Sequence, residues 1–427
     1  MSKGVRSRAL FNKRRLYVRD YINKKNIIFC LSVILISVLG GIVISNVLLM
    51  NKANKYTKKY TGKNENNNDV IIYSADKNEN EVNVNNNIEN NNVDSTSNNN
   101  NSNDNTTSTK EEIKVEDLSK INLTLLGEIM MGGQVTQNVK YIYSSAFKNI
   151  HLYTKDADFT YATLGTNITN VDKIENVKSK YLVTKDVING ICAIGIDAMN
   201  IATDHMIDYP ENIFNITKST LEKNDILVAG QKDTPVYFEK GNQKVAIVST
   251  NAVILGTKNK YNEYNISLYD ESNFRKNIKE AKKIADVVIA DIHWGKEYEF
   301  KTTAQMSEIA HIAVDEGANL VIGSHALGVY PISTYKGVPI IYSLGNLISD
   351  TNLYVGKESF IFNLEIENER ITKMEMIPTY VENKKEIKLY SEYDFEKANE
   401  ILEMYNRWHI ENGLDSKIEN NKIVIKF

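Results

Sequence analysis

Five apolar, β-branched runs each end in a residue type that binds metals or phosphate, and this pattern constrains the fold more than any other feature of the chain. The runs cover residues 123–128, 199–205, 287–293, 320–325 and 340–346. A strand buried on both faces needs apolar side chains without polar alternation. In α/β sheets, ligands sit outside the carboxyl ends of the strands. Glu128, Asp204, His205, His293, His325 and Asn346 are therefore expected along one rim. Carboxylate, imidazole and amide oxygen together suit a divalent cation and a phosphate-like substrate.

The 427 residues are not all core. Residues 27–50 are mostly apolar and carry no charge. At 1.5 Å per residue such a run crosses the ~30 Å hydrocarbon slab with some tilt. Lys3, Arg6, Arg8, Lys13, Arg14, Arg15, Arg19, Lys24 and Lys25 precede it, against the single acid Asp20. That bias predicts a cytoplasmic tail over 1–26, a single-pass anchor in the cell membrane over 27–50, and everything after it outside. A cleaved signal peptide is the competing reading. The run is long for one, and no small-x-small site follows it.

Residues 51–116 are rich in asparagine and poor in apolar side chains. They have little to bury against an ordering entropy of ~1–2 kcal/mol per residue, so a disordered linker is expected. Residues 118–427 have ordinary globular composition and form the expected extracytoplasmic domain. The two cysteines, Cys30 and Cys192, imply no disulfide framework. Net charge is −3 and the basic residues crowd the membrane flank, which argues against a nucleic-acid partner.

Within the domain, apolar runs alternate with amphipathic segments. Pro210 opens one helix, Ser272 is placed to cap a second, and Thr303 to cap a third that Gly317 closes. This alternation favours a mostly parallel sheet. Residues 359–367 and 371–381 read instead as an antiparallel pair. A last helix carries Phe395, Ala398, Ile401, Leu402, Tyr405 and Trp408.

The most specific local motif is His293-Trp294-Gly295-Lys296-Glu297-Tyr298. A histidine leaves a buried strand, Gly295 lets the backbone turn near a ligand, and Glu297 follows as a candidate substrate contact. Gly323-Ser324-His325 and Thr203-Asp204-His205 repeat the theme. Each motif alone also fits a turn or a satisfied core histidine. Together they place three of the six histidines at strand ends. His205, His293 and His325 are thus the candidate catalytic groups. Glu128 and Asp204 join them as candidate ligands, and Asn346 joins Glu297 as a candidate substrate contact. His151, His311 and His409 read as structural.

In order and spacing these motifs resemble the CapA family of poly-γ-glutamate capsule synthesis proteins, over about residues 118–382. His293 to Tyr298 and Tyr342-Ser343-Leu344-Gly345-Asn346 match the family text in full. Family Gly-Asp-x-Met stands as Gly127-Glu128-Ile129-Met130, and Asn-Leu-Glu as Thr163-Leu164-Gly165. Family Ala-Asn-Asn-His stands as Ala202-Thr203-Asp204-His205, and Gly-x-His-Pro-His as Gly323-Ser324-His325-Ala326-Leu327. The resemblance implies a layered α/β/β/α sandwich of calcineurin-like metallophosphatase type. It implies work on an anionic surface polymer or a cell-wall component, within a membrane polymer-synthesis complex. Gly165 and Leu327 lack ligand atoms where the family has them. The expected site therefore holds at most one divalent cation, of unspecified identity. A metal-dependent hydrolase and a non-catalytic polymer-binding scaffold stay open beside the synthesis role.

Overall fold

Two sheets carry the strands that the apolar runs foretell. The computed structural model describes residues 72–74, 120–174, 180–254, 257–297, 299, 301–352 and 356–427. The expected tail, anchor and most of the linker lie outside these residues. Among the described residues no helix is long and apolar enough to cross a membrane.

The first sheet runs Ile72–Ser74, Val236–Lys240, Gln243–Asn251, Val287–His293, Leu320–Ser324, Val338–Ile341, Ile332–Tyr335. Its centre is parallel: Val287–His293 pairs in parallel with both Gln243–Asn251 and Leu320–Ser324. Ile72–Ser74, from the stretch expected to be linker, pairs in parallel with Val236–Lys240.

The second sheet runs Asp415–Glu419, Lys422–Lys426, Arg370–Glu382, Glu358–Glu367, Lys120–Ile129, Phe159–Leu164, Ala198–Asn200, Leu227–Ala229. Lys120–Ile129 is its pivot. It is parallel to Phe159–Leu164 on one side and antiparallel to Glu358–Glu367 on the other. The antiparallel pair expected near the end of the domain is Glu358–Glu367 with Arg370–Glu382.

The period-two side-chain alternation of a strand shows how these sheets stack. Val287 and Ile289 face inward, where they share a cluster with Leu123, Leu125, Phe159 and Tyr161 of the second sheet. Val288, Ala290 and Ile292 face outward onto Phe274 and Ile278 of helix Glu271–Ile284 and onto Ile309 and Ala313 of helix Ala304–Asp315. On the far side, Leu126, Ile129, Ala162 and Leu164 pack on Phe214 and Leu221 of helix Glu211–Glu222 and on Ile191 of helix Val187–Ala193. The result is a mixed α/β fold in which two facing sheets have helices on both outer faces.

The helix ends follow side-chain chemistry. Thr303 Oγ1 accepts from the Met306 N–H at 3.2 Å, as its spacing suggested, and Gly317 closes that helix at φ +109°. Ser272 is not the cap of its helix. Asp270, two residues earlier, accepts from the Asn273 N–H at 3.0 Å, and its charge also suits the helix N-terminus. Between the sheets, Tyr161 Oη donates to Asp291 Oδ2 at 2.5 Å and lies 2.9 Å from Ser249 Oγ. This polar clasp ties one sheet to the other inside an apolar layer.

Candidate metal centre

The first sheet delivers two imidazoles to one rim. His293 is the last residue of its strand, and its in-register neighbour is Ser324. The Ser324 hydroxyl lies 2.8 Å from His293 Nδ1 and fixes the ring. His325 follows directly and takes φ +89°, the left-handed region. That conformation costs a non-glycine residue about 1–3 kcal/mol and is typical of functional turns. Gly295, also at φ +89°, makes the turn after His293 that its position suggested.

The second sheet delivers the carboxylates. After strand Ala198–Asn200, Asn200 Oδ1 accepts from the Ala202 N–H at 2.7 Å and bends the chain into the 3-10 turn Asp204–Ile207. Asp204 and His205 open that turn, both buried. Glu128 reaches the rim through a β-bulge. Leu125 pairs with Tyr161 and Glu128 with Thr163, so one extra residue sits on the Glu128 strand. The inserted residue flips the alternation. Leu125 faces the inter-sheet core, Leu126 and Ile129 face the helices, and Glu128 is turned back toward the inner face.

Asn346 does not end the run in which it was expected. Strand Val338–Ile341 stops at Ile341, and the chain crosses between sheets over residues 342–345. Asn346 instead opens strand Asn346–Ile348, where it pairs with Glu128. Gly345, at φ +71°, makes the crossing, and its carbonyl accepts from the Glu128 N–H at 2.9 Å. The break is invisible as a pattern because both halves are buried and apolar.

Asp204 is the hub. Its Oδ1 lies 2.9 Å from His293 Nε2 and 3.7 Å from His325 Nδ1, while its Oδ2 lies 3.7 Å from His205 Nε2. One ligand atom each from Asp204, His293 and His325 falls within 4.8 Å of the others, a group compatible with a metal ion. Glu128 and His205 border this group without belonging to it. His205 Nδ1 is held at 2.9 Å by Asp208 Oδ2, and Tyr181 stacks on the ring at 3.4 Å. Glu297 is half-buried in the turn after His293 and outside the group.

The electrostatics fit this geometry. Burial disfavours an Asp204 charge, but the His293 hydrogen bond and three nearby imidazoles hold its carboxyl well below the usual range. Burial likewise opposes a charge on His293 and His205, yet the Asp204 hydrogen bond raises His293, and Asp208 with Asp204 raises His205. Burial and the neighbouring His293 push His325 down to about 4, so it is neutral at physiological pH. Burial raises Glu128, partly offset by His293. Two buried polar atoms at the rim, Asn346 Oδ1 and His205 Nε2, have no hydrogen-bond partner. Unpaired buried acceptors beside a carboxylate–imidazole cluster suit a cation.

The other three histidines lie elsewhere. His151 Nδ1 lies 3.3 Å from the Lys148 carbonyl, His311 stacks on Tyr335, and His409 is fully buried. The roles of Ser324 and Tyr181 escaped sequence reading. Ser324 could have been found only through strand register, and Tyr181 carried no signal.

Residues 122–351 match the model of the family described as bacterial capsule synthesis protein PGA_cap, more than half of the chain. The chain belongs to this CapA family. It is 25% identical over 286 residues to "Capsule biosynthesis protein CapA" of Bacillus anthracis, covering 63% of this chain and 70% of that one. It is 23% identical to "PGA biosynthesis protein CapA" of Bacillus subtilis strain 168, covering 62% and 73%. Among solved structures, a hypothetical protein from Thermus thermophilus superposes with a TM-score of 0.42 at 12% identity, covering 61% of this chain and 100% of that one. The CapA-family segment contains Glu128, Asp204, His205, His293, His325 and Asn346.

Proposed function

We propose that this CapA-family chain acts in synthesis or export of poly-γ-glutamate or a related anionic surface polymer, and that Asp204, His293 and His325 hold one divalent cation for that work. The observation that carries the reading is the clustering of these three ligand atoms within 4.8 Å, inside the family segment. The names of the Bacillus relatives supply the polymer class. A bound cation would supply Lewis acidity and a positive charge to receive a carboxylate or phosphate oxygen. Asp204 orients His293, Ser324 fixes its other nitrogen, and Asp208 with Tyr181 holds His205 so that Nε2 faces the centre.

A second reading is an extracytoplasmic metal-dependent hydrolase of phosphoesters or of the polymer itself, with a calcineurin-like metallophosphatase fold. The His205–Asp208 pair favours it, because an oriented imidazole beside a cation site can move a proton. In both readings residues 27–50 anchor the chain in the cell membrane. The N-terminus is then cytoplasmic and the domain outside, within reach of a membrane polymer-synthesis complex. Protease added to wall-stripped cells should remove the domain, and full protection would sink the topology.

The functional test uses the purified full chain. Elemental analysis should return about one divalent cation per chain, and poly-γ-glutamate binding should weaken when a chelator removes it. Polymer binding indifferent to the chelator would replace the proposal with a metal-free scaffold. Neither cation nor polymer binding would overturn it.

A further inference from the structure

Gly165 stands where the family text places a carboxylate, and the structure shows what fills its space. Gly165 follows strand Phe159–Leu164, and its N–H donates to the Ile129 carbonyl at 3.0 Å. The alternation that points Leu164 at the helices points residue 165 at the inner face, beside Glu128. A Cβ added at Gly165 would lie 2.3 Å from Glu128 Oε1 and 2.7 Å from Met130 Cγ. The carboxylate of Glu128 therefore occupies the volume in which any side chain at 165 would begin.

We infer that Glu128 and Gly165 are one exchanged position: the longer Glu128 reaches across to the neighbouring strand and supplies to the cation site the carboxylate that Gly165 lacks. The inference rests on reading this rim as a cation site. Three features carry it. The bulge at residues 125–128 turns Glu128 inward. The pairing of Glu128 with Asn346 sets it beside an unpartnered amide oxygen. The missing Cβ at 165 leaves room for the extra methylene of glutamate over aspartate. Glu128 is then a ligand or a positioning group at the edge of the Asp204–His293–His325 cluster. Where the family text has two carboxylates, one on each strand, this site has a single longer one that fills the space beside Gly165.

The consequence opposes a simple restoration. Gly165→Glu alone would force two carboxylates into one buried volume. It should weaken Mn2+ binding to the full chain by on the order of tenfold or more, the scale at which groups around a metal matter. Glu128→Asp alone retracts the carboxylate and should also weaken binding on the order of tenfold. The double variant Glu128→Asp/Gly165→Glu should recover Mn2+ binding to within a few fold of the unaltered chain or better, because the shorter side chain at 128 frees the space that the side chain at 165 needs.

The four proteins are titrated with Mn2+ calorimetrically, and their thermal unfolding is recorded without metal. Non-additive recovery in the double variant upholds the exchange. Additive losses, or tighter Mn2+ binding by Gly165→Glu alone, overturn it. Should Gly165→Glu fail to fold, Gly165→Ala places the same Cβ against Glu128 Oε1. Its Mn2+ affinity should fall, and an affinity equal to that of the unaltered chain would overturn the exchange. If the unaltered chain binds no Mn2+, the cation reading fails by itself. The unfolding midpoints then decide: recovery in the double variant upholds the shared space, and additive losses overturn it.

Discussion

His293 Nε2 lies 2.9 Å from Asp204 Oδ1, and this contact joins the rims of the two sheets. His293 ends a strand of the first sheet, and Asp204 opens the turn after a strand of the second. Both are buried, so the pair is poorly screened by water. Removing one member of a buried charged pair costs about 3–5 kcal/mol, because the other stays buried and loses its partner. His293→Ala should lower the stability of the metal-free chain by about 3 kcal/mol, the lower end of that range, since His205 and His325 remain near Asp204. Urea unfolding at pH 7 in chelator measures this. A loss under about 1 kcal/mol would mean the pair contributes no more than an exposed one.

The Tyr161–Asp291 clasp makes a prediction with the opposite pH sense from ordinary acid denaturation. Burial pushes the Asp291 carboxyl from 3.8 up to about 6, even though Tyr161 and Ser249 hydrogen-bond it. A carboxyl raised on folding binds protons more tightly in the folded state. Its burden on stability is full above pH 6 and is relieved as pH falls from about 6 to 4. The shift corresponds to roughly 3 kcal/mol. Tyr161→Phe removes one donor, should cost about 1–3 kcal/mol at pH 7, and should steepen the gain on acidification. Chemical unfolding across pH 7 to 4 reads both effects. A flat Asp291→Asn difference across that range would refute the assignment.

His409 works against Asp291 in the same pH window. It is fully buried, neither ring nitrogen has a hydrogen-bond partner, and burial pushes it from 6.5 down to about 4. The unfolded chain takes up a proton below pH 6.5 that the folded chain refuses until about pH 4. Stability is therefore lost progressively across that interval, by roughly 3 kcal/mol in all. His325, also pushed down to about 4, adds a loss in the same interval, so Asp291 offsets only one of the two imidazoles and the unaltered chain loses stability across it. His409→Leu should remove its share of the loss, leaving a nearly flat profile between pH 6 and 4 in which the Asp291 gain offsets the His325 loss. An unchanged profile in this variant would show that His409 is not held neutral.

The sheet elements were legible because burial on both faces leaves a strong mark on a strand. Residues 287–293 and 320–325 are apolar before the histidine apart from Asp291 and Ser324, and both reach the rim. What could not be read is what depends on register and bulges. Nothing in Leu126-Gly127-Glu128 announces the extra residue that turns Glu128 inward. Residues 340–346 look like one strand, yet the chain leaves the first sheet at Ile341 and joins the second at Asn346. Ser272 has the side chain of a cap, but the helix begins at Glu271, which puts Asp270 in the capping position. Gly165 reads as a lost carboxylate, and a linear comparison cannot show that Glu128 Oε1 fills the space of its missing side chain.

The candidate centre makes a proton-release prediction that separates its two imidazoles. A histidine must be neutral to bind a cation, so ligation expels any proton the ring holds. Burial and the neighbouring His293 leave His325 with a value of about 4, so near neutral pH it has no proton to give. Burial also opposes a charge on His293, but the Asp204 hydrogen bond outweighs it and raises the ring above 6.5. Asp204 is already a carboxylate and contributes none. At pH 6.5, Mn2+ binding should therefore release a proton held by His293, and affinity should fall as pH drops further. By pH 8.5 the release should decline. Calorimetric titrations in buffers of different ionisation enthalpy count the protons at each pH. His293→Gln should abolish the release at pH 6.5, whereas His325→Gln should weaken binding and leave the release in place. Equal release at the two pH values in the unaltered chain would show that His293 does not carry the exchanged proton.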